Sequence, residues 1–349
     1  MLGITNLQGL TRELSLYLES QVRVGLFGSG VGLSLVLGFG AAYACYYLSV
    51  IAKKPQLVTG GEALCRFLKQ HCPAVTETYY PTLWCWEGRA QTLLRPFITV
   101  KPLVHYNKCV VFNNRGVAGE DLLTPRTYCA SNTEDLETVI QHVHTLYPEA
   151  PLTAAGVSMG GMLLLNYLGT TGSQTPLLGA AVFSAGWEVF ESATVLEKPL
   201  NWILFNYYLT TCLQASIMRH RSVLEKQFDI DYVMKAKSIR EFDTRFTSVM
   251  FGYPTNDHYY KDASPCHRVK SIEIPVLCLN AIDDVFSPGH AIPAENAKQN
   301  PNVALVLTAY GGHIGFLEGI WPRQQTYMDR IFKQFVQAIF EHGSELSSM

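Results

Sequence analysis

The sequence predicts an α/β fold, a mostly parallel sheet with helices covering both faces, and three observations predict it. Short apolar runs alternate with stretches of helical spacing from about residue 108 onward. The pentapeptide Gly156-Val157-Ser158-Met159-Gly160 joins one apolar run directly to a helix-like one. Two later apolar runs, residues 274–279 and 303–307, each lead into a polar loop carrying an acid or a histidine. The composition permits a large core: 48% of the 349 residues are apolar and 11% aromatic.

The elements follow in order. Residues 24–52 carry no charge across 29 positions and are bounded by Arg23 and by Lys53-Lys54-Pro55, long enough to span a bilayer with tilt. Glu13 and Glu19 precede this stretch, which reads as a retained anchor rather than a cleaved signal. Arg12 and Arg23 before it, against Lys53, Lys54, Arg66 and Lys69 after it, favour a cytoplasmic body by two charges. No Asn-x-Ser/Thr sequon is present, in agreement with that side. Residues 60–70 have helical spacing, and 72–97 read as an irregular, aromatic connection. Residues 108–112, Lys-Cys-Val-Val-Phe, read as a strand. A helix at 133–146 then leads to the strand before Ser158.

After a helix at 162–168 comes a strand at 177–184, and then helical, aromatic-rich sequence from 199 to about 260. Within it, residues 200–218 carry no charge. Asn201, Asn206, Thr210, Thr211 and Gln214 make this segment polar for a second span, so a lid over the site is the preferred reading, with an ordinary helix packed on the sheet as its alternative. A helix at 324–340 closes the body. The expected organisation is 1–23 as an N-terminal segment, 24–52 as anchor, 53–107 as linker and incomplete domain start, 108–342 as catalytic domain with a lid at about 188–262, and 343–349 as tail.

Charge and metal-binding patterns exclude other classes. With 27 basic and 29 acidic residues mixed along the chain, nothing argues for nucleic acid. Nine scattered cysteines contain no Cys-x-x-Cys pair and are expected to be mostly buried thiols, and the ten histidines show no zinc-binding spacing. Neither a cofactor nor a metal is expected.

The catalytic reading begins at Ser158. A serine can be lifted off a sheet only where strand turns sharply into helix, and glycines two before and two after it supply the clearance. Such a hydroxyl needs a base and an orienting acid. After residues 274–279 come Asp283 and Asp284. Asp284 is the chosen acid because it stands four residues before Pro288 with Val285 and Phe286 between, leaving Asp283 as a solvated or turn-capping neighbour. His313 lies 29 residues beyond Asp284, on a glycine-flanked loop suited to an accessible imidazole, with His290 as its rival. The backbone N–H of Met159 is the expected oxyanion donor. A second donor, from a loop after an earlier strand, is not found; Thr59-Gly60-Gly61 follows no strand in this reading.

From Cys109 onward the chain resembles the α/β-hydrolase domain-containing proteins of the membrane subgroup related to the bacterial hydrolase YheT. The residues that carry the resemblance are Val111-Phe112-Asn113-Asn114-Arg115-Gly116, Thr124-Pro125-Arg126, Gly156 to Gly161, Asp283-Asp284 and Gly311-Gly312-His313. It implies an α/β-hydrolase fold and acyl-ester hydrolysis of glycerophospholipids, phosphatidylcholine with short or medium acyl chains in particular, with Ser158, Asp284 and His313 as the triad. A carboxylesterase or monoacylglycerol lipase of the same fold is a further reading. The resemblance also implies about sixty further residues between Phe97 and Cys109, forming the first strands and the oxyanion loop. Here residues 98–108 join directly to the next element, so a catalytically silent membrane protein is the reading of a different class.

Overall fold

The structure, a computed structural model, describes residues 30–98, 108–322 and 325–347, with residues 13, 15–17, 19 and 20 ahead of them. Residues 1–52 and 53–349 are separate compact units. In the first, α1 (Gly30–Tyr46) passes into a π-helical turn, Tyr47–Ile51. Gly32–Ile51 has a mean hydropathy of 1.6 over 20 residues, which at 1.5 Å per residue is about 30 Å of helix, the thickness of a bilayer's hydrocarbon core. The start of the expected anchor, residues 24–29, lies outside the described residues.

Among its described residues the second unit is built on five strands: β1 (Gln56–Val58), β2 (Leu152–Val157), β3 (Leu177–Phe183), β4 (Val276–Ala281) and β5 (Val303–Thr308), in the order β1-β5-β4-β3-β2. β2 to β5 are parallel and β1 runs antiparallel to β5. Parallel strands covered on both sides must be apolar on both faces, and the side chains divide accordingly. Phe183, Leu277, Leu279 and Val306 pack with Phe67 and Leu68 of α2 (Glu62–His71) and with residues of a C-terminal helix. Val182, Val276, Cys278 and Leu305 pack against Leu164, Leu165 and Leu168 of the helix that follows β2. Each such side chain, fully buried, contributes about 1.5–3 kcal/mol.

The longer helices among the other described residues are α3 (Gly88–Leu94), α4 (Glu134–Leu146), α5 (Met159–Thr171), α6 (Val189–Leu196), α7 (Tyr207–Arg219), α8 (Asn256–Ala263) and α9 (Tyr327–His342). Thr326 starts α9 with a capping box to Asp329. Gln324, where the sequence places that start, lies outside the described residues. Between α6 and α8, short helices surround a cluster of their own that includes Ile217, Leu224, Phe242 and Phe246. Of the polar residues of 200–218, Asn201, Asn206, Thr210 and Gln214 are buried. Asn206 accepts from the Ile239 N–H, Gln214 donates to the carbonyls of Met234 and Ala236, and Leu200, Ile203, Tyr207 and Tyr208 are left exposed.

Four expectations are corrected. Residues 108–112 form no strand, and Val110 and Val111 are exposed; an extended run without a neighbouring strand has no ladder for its backbone. The connection at 72–97 contains α3, which Glu87 caps by accepting from the Ala90 N–H. Thr59-Gly60-Gly61 does follow a strand, β1, whose three residues were too short a run to read. Only four of nine cysteines are buried, Cys72, Cys85, Cys129 and Cys278, because the others fall on helix surfaces and loops rather than on core positions.

Candidate active site

Ser158 sits where β2 turns into α5, with φ 53° and ψ −121°, backbone angles that a non-glycine residue adopts only when the surroundings impose them. Its N–H is held by the Phe183 carbonyl at 2.8 Å. A Cβ at Gly156 would stand 2.5 Å from the Gly160 carbonyl oxygen, and one at Gly161 2.8 Å from Val182 Cγ1. A Cβ at Gly160 would meet nothing within 4 Å. The crowding expected at Gly160 therefore falls on Gly161, which faces the end of β3. Met159 is the first helical residue, so its N–H has no acceptor within α5.

β4 and β5 deliver the other two groups. Asp284 is 2% exposed, and its Oδ1 accepts from the N–H groups of Phe286 and Ser287 at 2.7 and 3.3 Å. His313 Nδ1 lies 2.9 Å from Asp284 Oδ2, and His313 Nε2 lies 2.8 Å from Ser158 Oγ. Three side chains separated by 126 and 29 residues in the chain thus meet in one line of hydrogen bonds. With Nδ1–H donating to the carboxylate, Nε2 is left as the acceptor for the serine proton. His290 is elsewhere, exposed and 2.9 Å from Glu191.

The histidine loop is enclosed rather than accessible. His313 is 8% exposed, and its ring lies 4.4 Å from that of Phe286. Three successive N–H groups are bound by side chains from three elements: Gly312 by Asp283 at 2.9 Å, His313 by Thr92 of α3 at 2.9 Å, and Ile314 by Ser184 after β3 at 3.0 Å. Gly312, at φ +58°, leaves only 2.1 Å between an added Cβ and the Gly88 carbonyl oxygen. Ile314 and Phe316, at φ 64° and 46°, continue the strained path.

Asp283 is therefore no solvated bystander. α3 packs over it, and burial pushes its carboxyl up to about 7, opposed by the Gly312 N–H and assisted by the charges of Asp284 and Glu87. Sequence reasoning missed α3 and its contribution. The signal available was Arg89-Ala90-Gln91-Thr92-Leu93-Leu94, good helix formers stopped by Pro96. Gln91, fully buried, accepts from the Leu317 N–H at 2.8 Å and so fixes the loop beyond His313.

No second oxyanion donor reaches the site from β1. That strand pairs Val58 with Leu305 and runs antiparallel to β5, so Thr59 to Gly61 leave toward the start of β5, at the end of the sheet away from the triad, where the Gly60 N–H meets the Asn300 carbonyl. One group of metal-ligand type occurs among the described residues, His71, His342 and Glu345. Its carboxylate is already hydrogen-bonded to both imidazoles, and none of the three belongs to the triad.

No protein-family model matches the chain. Phospholipase ABHD3 of Homo sapiens is 65% identical over 403 aligned positions that cover 98% of each chain, and that of Mus musculus is 64% identical, covering 99% of this chain and 98% of its own. The human alignment is 54 positions longer than the 349 residues present here, so the relative carries at least that many residues without a counterpart. A monoacylglycerol lipase of Saccharomyces cerevisiae is 29% identical over 63% of this chain and 51% of its own. Among solved structures, a serine hydrolase from a Cycloclasticus bacterium superposes over 66% of this chain and 78% of its own with a TM-score of 0.38 and 17% identity. The chain belongs to the α/β-hydrolase domain-containing family of phospholipase ABHD3, a family of serine ester hydrolases.

Proposed function

We propose that this chain is a membrane-anchored phospholipase that cleaves acyl esters of phosphatidylcholine through an acyl-enzyme. The observation that supports this best is the hydrogen-bond line from Ser158 through His313 to Asp284. His313 Nε2 takes the hydroxyl proton as Ser158 Oγ attacks the ester carbonyl, and Asp284 stabilises the imidazolium. The oxyanion of the tetrahedral intermediate is received by the Met159 N–H. Collapse expels the glycerol-side alkoxide, which takes the proton from His313. A water then enters, loses a proton to His313 and releases the fatty acid, restoring Ser158.

The uncharged helix at Gly32–Ile51 supports anchoring, and the name of the relatives supports the phospholipid substrate. Residues 188–262 are read as the lid, with Leu196 and Phe205 packed on Val285 next to the acid. A catalytically silent chain is the second reading, favoured by the want of a second oxyanion donor among the described residues.

A fluorophosphonate probe tests the proposal. The folded chain is expected to label, labelling to vanish in Ser158→Ala, and cells expressing the parent to show lower phosphatidylcholine than cells expressing the variant. Folded protein that stays unlabelled would sink the hydrolase reading in favour of the silent one.

A further inference from the structure

In the second unit, apolar side chains reach solvent together where residues 80–84 meet residues 318–321. Trp84, Ile320 and Trp321 are 55%, 67% and 72% exposed, and Tyr80 and Leu83 are exposed on the same short segment. The contact is built. The two indoles stand 6.3 Å apart, Trp84 Nε1 donates to the Ile320 carbonyl at 2.7 Å, and the Thr82 N–H donates to the Leu317 carbonyl at 2.9 Å. These bonds hold two tryptophans at the surface, where neither fills a core position. A contiguous apolar patch of this kind marks an interaction site.

Its place in the chain indicates what covers it. One residue before Tyr80, the Tyr79 N–H donates to the carbonyl of Lys53 at 2.9 Å, and Lys53 is the second residue after the apolar helix ends at Ile51. At most about 3.5 Å per residue separates Tyr79 from Trp84, so Trp84 lies within about 18 Å of Tyr79, which is bonded to Lys53. Lys53 and Lys54 are exposed, as basic residues flanking a membrane span at the headgroup level are. The patch is continuous on its other side with the loop that carries His313, through Leu317 and its bond to Gln91. Tryptophan is the side chain enriched at membrane–water boundaries, where an apolar ring with one polar N–H suits both phases.

We infer that Trp84 and Trp321, with Tyr80, Leu83 and Ile320, form a docking patch that inserts into the headgroup–acyl boundary of the same bilayer the N-terminal helix enters. It holds the histidine-bearing loop at the lipid surface. The inference rests on the membrane-anchor reading proposed above and adds a second, independently testable contact with lipid.

The full chain in phosphatidylcholine nanodiscs, one copy per disc, provides the test, with bromines near the top of the acyl chains as quenchers. Trp86, Trp187 and Trp202 remain when Trp84 and Trp321 are both replaced by serine. Bromolipid quenching is expected in the parent and should fall to about half or less in the double variant. Hydrolysis of phosphatidylcholine in the disc should fall about tenfold while a water-soluble acetate ester is cleaved at the parental rate. Equal quenching in parent and variant would overturn the inference, as would a parent that forms dimers in detergent which the variant cannot. If the parent cleaves neither ester, the hydrolase reading fails, and the quenching comparison still decides whether the patch meets lipid.

Discussion

β4 and β5 lead to Asp284 and His313, the proposed acid and base, β2 leads to Ser158, the proposed nucleophile, and the two regions differ in how far their surroundings determine them. All six residues of β4 and all six of β5 are buried, and each strand is paired on both sides. The loop that leaves β5 is held by Thr92, Ser184 and Asp283. Among the described residues β2 pairs only with β3, one of its six residues is buried, and Val157, beside Ser158, is 40% exposed. His313 is thus fixed by contacts made several times over, whereas Ser158 follows a strand that stands at an open edge among the described residues. In this fold the two halves of a triad draw on different stretches of sequence, so one can be complete while the other lacks its cover.

The largest test of the well-determined half is Asp284→Asn. Its amide can still accept from Phe286 and Ser287, so the loop should persist, but it no longer fixes the Nδ1–H tautomer of His313. Ester hydrolysis is expected to fall on the order of 10⁴-fold, with the melting temperature close to the parent's. Turnover and thermal unfolding measured on the same preparation check this. A loss of only a few-fold would mean that the contact at 2.9 Å does not order the base.

The open half is tested by addition. Inserting the residues of the human relative that have no counterpart here, between Phe97 and Cys109, should pair the free edge of β2 and supply the second oxyanion donor. One such donor contributes about 3 kcal/mol to the transition state, so kcat is expected to rise 10² to 10³-fold. Self-association of the parent, measured by light scattering, should fall as the edge is covered. If the insertion left kcat unchanged, the difference between the two halves would be one of packing only.

The same contrast decides what could be read before any coordinates. The apolar runs that precede Ser158, Asp284 and His313 were legible, and those at 152–157, 276–281 and 303–308 do form parallel strands of one sheet. Residues 108–112 are also largely apolar and form no strand, since strand formation depends on a partner and none lies alongside among the described residues. α3 was missed for the opposite reason. Its fixing groups, Thr92 and Gln91, are polar residues whose value lies in bonds to segments 221 and 226 residues away, which no local pattern records.

Asp283 offers the smallest effect and the finest comparison, because it is a cost carried by the well-determined half. Its carboxyl is raised to about 7 from an ordinary value near 4, first by burial, with the charges of Asp284 and Glu87 adding to it. Between those values the folded chain keeps a proton that the unfolded chain gives up. Stability from this group is therefore present below pH 4 and declines as pH rises through about 7, the reverse of a salt-bridged carboxylate. Asp283→Asn retains an oxygen to accept from the Gly312 N–H and has no charge to desolvate. The variant is expected to match the parent closely at pH 4.5 and to melt several degrees higher at pH 8. Calorimetry at the two pH values distinguishes this from a purely structural role, in which the variant would melt lower at both. A variant less stable at pH 8 than at pH 4.5, relative to the parent, would show that the ionised carboxylate is needed to hold Gly312, and that the histidine loop is secured by charge rather than by geometry.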